Sequence, residues 1–175
     1  MANYTRKAII SGFENMLYEI SFNKITVSAL IERCEISSNT FYYHFNNIYD
    51  LLDTWIALKM EDFIHRNGPV EHWDIALKQL LREMKQQPAL IYHVSDSIPR
   101  ERLEQYAFVN AKPFFTNFAK KHSPMDADEE YIRGLADLSL YAFCGIVLEF
   151  IWGHMEADID ITVDRLSSFF QKVSL

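Results

Sequence analysis

The chain has 175 residues and a formal net charge of −7, with 49% apolar and 23% charged residues. This composition excludes a disordered chain and is typical of a compact globular protein with a sizeable core. The negative charge argues at first against a nucleic-acid partner, because proteins normally neutralise phosphates with a surplus of Lys and Arg.

Residues with reactive or metal-binding side chains do not cluster in the sequence. Cys34 and Cys144 lie far apart in apolar surroundings, and the six histidines show no metal-ligand spacing. No nucleophile-elbow, phosphate-binding glycine or HExxH motif occurs. We therefore expect no enzyme, no metal and no cofactor.

The sequence also argues against secretion and membrane insertion. The N-terminus is charged within its first seven residues and is not followed by an apolar signal core. The longest apolar run, from Leu138 to Trp152, is interrupted by Ser139, Gly145 and Glu149. It is shorter than the roughly 20 residues that a spanning helix needs. These features predict a cytoplasmic protein with no membrane partner.

Apolar residues near the N-terminus recur at helical spacing, at Ile9, Phe13, Leu17 and Ile20. They predict a first helix from Thr5 to near Ser21. Thr26 precedes the next apolar group and can cap a short second helix.

A third helix follows, which Ser37 or Ser38 can cap. Phe41 and Phe45 lie four residues apart and form its buried stripe, so the side chains between them must point outward. Asn46 and Asn47 end this helix and can cap a fourth, over about residues 47–66. The Asn67-Gly68-Pro69 break is the predicted linker.

Prolines and caps divide the rest of the chain into further helices. Pro88 ends one helix, and Pro99 opens another that Pro113 kinks or splits. Ser123-Pro124 signals a long helix to about Met155, and Thr162 caps the last one. No segment alternates as a strand does.

The sequence therefore predicts an all-α fold of about nine helices. An N-terminal three-helix helix-turn-helix domain covers residues 1–50, and helix four links it to a C-terminal helical domain, residues 51–175, for effector binding and dimerisation.

Two short helices joined by a tight corner can place the second helix in the DNA major groove. The segment ITVSALIERCEISSNTFYYHFNNIYDLL resembles the DNA-binding segment of TetR-type transcriptional regulators, over roughly residues 5 to 60. The apolar spacing, the small-residue corner and the Thr-aromatic-Tyr-Tyr-His-Phe run occur together and in the same order.

The resemblance implies that the outward face of the third helix contacts DNA, with tyrosine hydroxyls and an imidazole mainly on phosphates. The side chains expected at the DNA are Thr26, Ser37, Ser38, Asn39, Thr40, Tyr42, Tyr43 and His44. An exposed tyrosine pair is also typical of a protein contact or of half-buried packing, but the surrounding helix-turn-helix pattern favours DNA.

The chain departs from the family pattern at two places. Cys34-Glu35 stands where the corner usually has a small residue and glycine, and Ile48 stands where a phosphate-binding lysine is expected. Residues 1–50 carry four basic groups against five acidic ones. We therefore expect neutral donors and dimeric presentation to supply the affinity, with weak non-specific binding and a shallow salt dependence.

The run LSLYAFCGIVLEFIW is apolar around most of its circumference, so its helix needs cover on more than one side. The resemblance implies a homodimer through about residues 126–155 and 162–173. Its two recognition helices would lie about 34–36 Å apart or a multiple of that, on a near-palindromic double-stranded DNA operator.

The Gly145 to Trp152 segment is also similar to the C-terminal domain of a Firmicutes-type subset that includes the dihydroxyacetone-kinase regulators. Some members of that subset act with a protein partner.

The family also implies an effector pocket in the C-terminal domain. Candidate lining residues, each of which is also typical of plain core, are Trp55, Phe63, His93, Tyr106, Phe115, Tyr141 and Cys144. Family frequency favours a repressor that a small-molecule effector releases from the operator. The alternative is a helix-turn-helix protein that activates transcription or acts through a protein co-regulator, with weak intrinsic DNA affinity.

Overall fold

The computed structural model describes residues 2–67 and 73–173. Within these ranges the chain forms nine α-helices, one 3₁₀ turn at Phe22–Lys24 and no strand, which confirms the all-α prediction. The helices are α1 (Ala2–Glu19), α2 (Val27–Arg33), α3 (Ser38–His44), α4 (Ile48–Asn67), α5 (Trp73–Gln86), α6 (Pro88–Ser95), α7 (Arg100–His122), α8 (Glu129–Trp152) and α9 (Ile159–Val173). The predicted linker at Gly68-Pro69 lies outside the described residues.

The chain divides into two compact units, and the first comprises Met1–Lys59 with Ala89–Leu103. The predicted apolar stripe of α1 forms the centre of its core, together with side chains from α2, α3 and α4. The most deeply buried members are Ile9, Phe13, Leu17, Leu30, Phe41, Phe45, Leu51 and Leu52.

The segment from α6 to the start of α7 is held against the rest of the first unit by polar contacts. The ring nitrogen Nδ1 of His93 donates to the carbonyl oxygen of Leu17 at 2.7 Å. This carbonyl belongs to the last turn of α1, where no later helical N–H is available to it. The Arg102 guanidinium lies 4.3 Å from the ring centre of Tyr49 and 3.6 Å from the carboxylate of Asp53.

The second unit comprises Met60–Pro88 and Glu104–Leu175. Phe115 and Cys144 belong to a cluster of buried side chains between α7 and α8, surrounded by further phenylalanines. Leu77 and Leu81 of α5 are also buried, as is Val163 of α9. Ion pairs join the same two helices at their surface.

Two predicted helix starts in the second unit are wrong. Asp128, and not Ser123, caps α8 by accepting from Tyr131 N at 2.8 Å. Asp158 accepts from Ile161 N at 2.9 Å, so α9 begins a turn before the predicted cap Thr162. In both cases an aspartate near the helix start supplies the acceptor. α7, by contrast, continues through Pro113 and is not split.

α8 is long and apolar enough to cross a membrane by length and composition, since it has 24 residues. The predicted apolar run, Leu138 to Trp152, is the C-terminal part of this helix. Length and composition are weak evidence for insertion, because the core helix of a soluble protein can have both. Ala136, Leu140, Cys144 and Leu148 give α8 a continuous buried face within the second unit.

Candidate nucleic-acid interface

The corner between α2 and α3 is a tight left-handed turn. The N–H of Cys34 donates to the carbonyl of Leu30 at 2.9 Å, and that of Ile36 donates to Ile31 at 3.2 Å. Glu35 between them has a φ of 53°, the left-handed conformation that usually belongs to glycine. Glu35 therefore holds a conformation that glycine adopts more easily, at a steric cost of about 1 kcal/mol.

α3 is anchored by the two phenylalanines that the sequence pattern selected. Phe41 is 0% and Phe45 2% exposed. Their ring centres lie 5.9 Å apart, and the Arg6 guanidinium covers the Phe45 ring at 5.4 Å. Burial of these rings fixes which face of α3 points away from the core.

The opposite face of α3 presents two tyrosines to solvent. Tyr42 is 57% and Tyr43 76% exposed. His44 is half-buried, and its ring packs edge-on against Tyr43 at 4.9 Å. The outward face therefore offers phenolic hydroxyls on rings that are held in place by their neighbours.

The small polar residues at the start of α3 divide into two groups. Ser37 caps the helix by accepting from Thr40 N at 3.1 Å, and the two hydroxyl oxygens lie 2.8 Å apart. Ser38 and Asn39 are exposed. Thr26 is exposed too and caps α2 by accepting from Ala29 N at 3.1 Å.

Two cations of the first unit are engaged in ion pairs. Arg33 forms hydrogen bonds with both carboxylate oxygens of Glu19, at 2.7 and 2.5 Å. The hydrogen bond from Arg33 lowers the pKa of the Glu19 carboxyl below its ordinary value. Lys59 pairs with Glu14 at 2.5 Å.

The first turn of α4 carries no lysine. Ile48 is half-buried there, and the carbonyl oxygen of the Asn47 side chain caps the helix by accepting from Tyr49 N at 2.9 Å and Asp50 N at 3.0 Å. The Asp50 carboxylate in turn accepts from Asn46 N at 2.8 Å. Neutral and acidic groups thus occupy the position where the family resemblance implies a cation.

The residues predicted to line one effector pocket are distributed over both units. Trp55 and His93 belong to the first unit, where Trp55 packs edge-on against Phe13 at 6.4 Å. In the second unit, Tyr141 is exposed, Tyr106 is half-buried and Cys144 belongs to the buried cluster. Burial raises the pKa of the Cys144 thiol to about 11, so this thiol is a core group and not a reactive one.

Phe63 and Phe115 do line a common cavity in the second unit. It is apolar, has a volume of about 30 Å³ and is otherwise lined by Met60, Ile64, Trp73, Ala76, Ala111, Phe114 and Phe143. Sequence reasoning missed these other residues. The sequence shows which apolar residues share one face of a helix. It does not show which faces of separate helices meet around a cavity.

α8 exposes a line of residues at helical spacing on the side away from its core face. We call it the α8 stripe, and it comprises Tyr131, Gly134, Leu138, Tyr141, Gly145 and Trp152. Leu138 is 56% exposed, and a Cβ added at Gly134 or Gly145 would meet nothing within 4 Å. From Tyr131 to Gly145 the members lie three or four residues apart and form one apolar face. The exposed carboxylate of Glu149 lies on the same side of the helix, between Gly145 and Trp152.

Comparisons with known proteins cover both parts of the chain. Residues 9–54 match the family model described as bacterial regulatory proteins, tetR family, and residues 71–172 match the model of a transcriptional regulator C-terminal region. These matches confirm the resemblance seen in the sequence.

A curated relative is the HTH-type dhaKLM operon transcriptional activator DhaS of Lactococcus lactis subsp. lactis (strain IL1403). It is 28% identical over 78 residues, and the match covers 45% of this chain and 42% of the relative. The chain thus spans about two fifths of that relative's length.

A solved structure, the dihydroxyacetone kinase operon activator DhaS, superposes with a TM-score of 0.66 at 18% identity. It covers 96% of this chain and 94% of its own. At that identity the likeness establishes the fold.

Proposed function

Because this chain belongs to the tetR family of bacterial regulatory proteins, we propose that it binds a near-palindromic DNA operator as a homodimer. It is a transcriptional regulator and not an enzyme. DNA binding belongs to residues 1–50, and dimerisation belongs to α8 and α9 within residues 51–175. Since its target is DNA, its place of action is the cytoplasm.

The observation that carries this proposal is the division of α3 into a buried and an open face. Phe41 and Phe45 are buried, whereas Tyr42 and Tyr43 point into solvent. Tyrosine hydroxyls donate hydrogen bonds to phosphate oxygens without a formal charge. In an acidic protein these neutral donors, together with Ser38, His44 and Thr26, supply contacts that Lys and Arg supply elsewhere.

The α8 stripe supports the proposed dimerisation. An exposed apolar face of this length on a helix is typical of a protein interface. In a two-fold dimer the same face of each copy packs on its partner. Glycines at positions 134 and 145 would let the two α8 helices approach closely, and the dimer would present two α3 helices to successive turns of DNA.

Activation of transcription is favoured over release by a small molecule. The curated relative and the solved structure are both named as the operon activator DhaS. The cavity lined by Phe63 and Phe115, about 30 Å³, has room for roughly two water molecules, whereas pockets for drug-sized ligands have volumes of about 300–1,000 Å³. The larger space beside Val109 and Pro113, about 460 Å³, is an open groove on the surface of α7. A protein co-regulator acting on the C-terminal domain therefore fits this chain better than a bound drug-like effector.

Substitution of Tyr43→Ala tests the DNA-binding role. We expect operator affinity to fall about tenfold while the midpoint of thermal unfolding stays unchanged, because the side chain is exposed. Tyr18→Ala on α1 is the matched control, since Tyr18 is also exposed, and it should retain full affinity. If Tyr43→Ala left binding to every DNA unchanged, the chain would instead be an interaction module that keeps the helix-turn-helix fold.

A further inference from the structure

The polar side chains in the first turn of α3 differ in whether they already have partners. The Ser37 and Thr40 hydroxyls bind one another at 2.8 Å, and Ser37 also accepts from the Thr40 N–H. These two groups hold the start of the helix in shape. They are positioning residues, and their hydrogen-bonding capacity is largely used inside the protein.

Asn39 lies between them in the sequence and is different. Its side chain is exposed, and no hydrogen bond joins its amide to the part of the chain that the structure describes. A side-chain amide offers an N–H donor and a C=O acceptor side by side. Ser38 is exposed as well, but its single hydroxyl either donates or accepts and therefore discriminates poorly between bases.

We propose that Asn39 reads one adenine in each half-site of the operator. Its Nδ2 would donate to adenine N7 and its Oδ1 would accept from the adenine N6 amino group. Guanine presents two acceptors, N7 and O6, at the same edge, so Oδ1 would face an acceptor there. This inference rests on the proposed function and names the base that the α3 surface selects.

The small number of available cations should make the effect of the Asn39 contact on sequence preference easy to measure. Arg33 is paired with Glu19, and Ile48 replaces the expected lysine. Attraction to phosphates, which is independent of sequence, is therefore small. Base contacts then provide a larger share of the total affinity, and loss of one of them changes the sequence preference strongly.

The experiment uses the full chain and two modified bases. A DNA selection with the wild-type protein first identifies the operator. Each adenine in it is then replaced by 7-deazaadenine, which lacks the N7 acceptor, or by purine, which lacks the N6 amino group. We expect one adenine per half-site to be sensitive to both changes, with a loss of about tenfold in affinity each time.

The Asn39→Ala variant should lose that sensitivity and accept all four bases at that position, while its preferences elsewhere in the half-site stay the same. Asn15→Ala on α1 is the matched control, because Asn15 is also exposed, and it should select the wild-type operator. Equal unfolding midpoints would establish that both variants are folded.

The proposal is overturned if Asn39→Ala selects the same base at every position, whether its affinity is unchanged or uniformly lower. That result would make Asn39 a backbone contact or a bystander and would leave the proposed function intact. A wild-type protein that selects no palindrome would overturn both.

Discussion

The two compact units expose different kinds of surface. The first unit buries its aliphatic side chains and exposes tyrosines beside small polar residues on α3. The second unit leaves much of α8 uncovered, since only 33% of its most apolar stretch is buried. Rings with polar tips suit a hydrogen-bonding partner such as DNA, whereas a long apolar face with glycines suits a second protein chain.

The largest expected effect comes from disrupting the apolar face of α8. Leu138→Glu places a charge in the α8 stripe, and we expect the dimer to dissociate at micromolar concentration. Operator affinity should fall about 100- to 10,000-fold, because the two half-sites are no longer bound together. Sedimentation and operator titration measure the two effects.

Val109→Glu is the matched control for this change. Val109 on α7 is 62% exposed and lies outside the α8 stripe, so the variant should remain dimeric. Equal dissociation of both variants would show that added charge, and not the stripe, determines the oligomeric state.

The anchoring of α3 is tested by Phe41→Ala. Because Phe41 is fully buried, we expect the free energy of unfolding to fall by about 3–5 kcal/mol. Tyr43→Ala should change it by less than about 1 kcal/mol. Urea unfolding measures both, and similar losses would contradict the division of α3 into a buried and an open face.

A third prediction concerns salt. Since the first unit presents few unpaired cations, raising salt from 50 to 200 mM should weaken operator binding by less than about a hundredfold. A protein that contacts many phosphates with Lys and Arg loses roughly 10³–10⁵ over this range. Fluorescence anisotropy across the range checks the slope, and a steep one would contradict the role given to neutral donors.

A smaller effect is expected at the corner between α2 and α3. Glu35→Gly removes the steric cost of a φ of 53°, and we expect a gain of about 0.5–1 kcal/mol in the free energy of unfolding. Glu32→Gly within α2 should instead destabilise the protein by about 1 kcal/mol. Destabilisation by both would show that Glu35 makes compensating contacts.

The smallest effect is a pH dependence that both units share. The pKa of Glu19 is lowered by its hydrogen bond with Arg33, and that of Asp160 by Arg82 and then Lys78. A carboxyl whose folded pKa lies below its unfolded value stabilises the protein above the unfolded pKa, and this contribution is lost as pH falls through the folded one. Glu19→Gln and Asp160→Asn should lower the unfolding midpoint slightly at pH 7, and this difference should shrink as the pH falls through the folded pKa values.

Local signals in the sequence predicted the first unit well. Thr26 and Ser37 cap the helices that were assigned to them, and the Phe41 and Phe45 spacing identified the buried face of α3. Each of these features depends on residues three or four apart. These features can therefore be recognised from the sequence without knowing how the helices pack.

The same reasoning was less accurate in the second unit. Several residues between Ser123 and Asp128 can cap a helix, and tertiary packing decides which one does. Which aromatic faces meet around a cavity depends on how separate helices dock. Phe63 and Phe115 line a common cavity in the second unit, whereas Trp55 and His93 belong to the first unit.

A DNA selection with the purified full chain at low salt tests the central claim most directly. We predict an enriched near-palindrome whose half-site centres lie about one helical turn apart, or a multiple of that. Recovery of no enriched motif at low salt, or only of a single unpaired half-site, would contradict a dimer that reads DNA through α3.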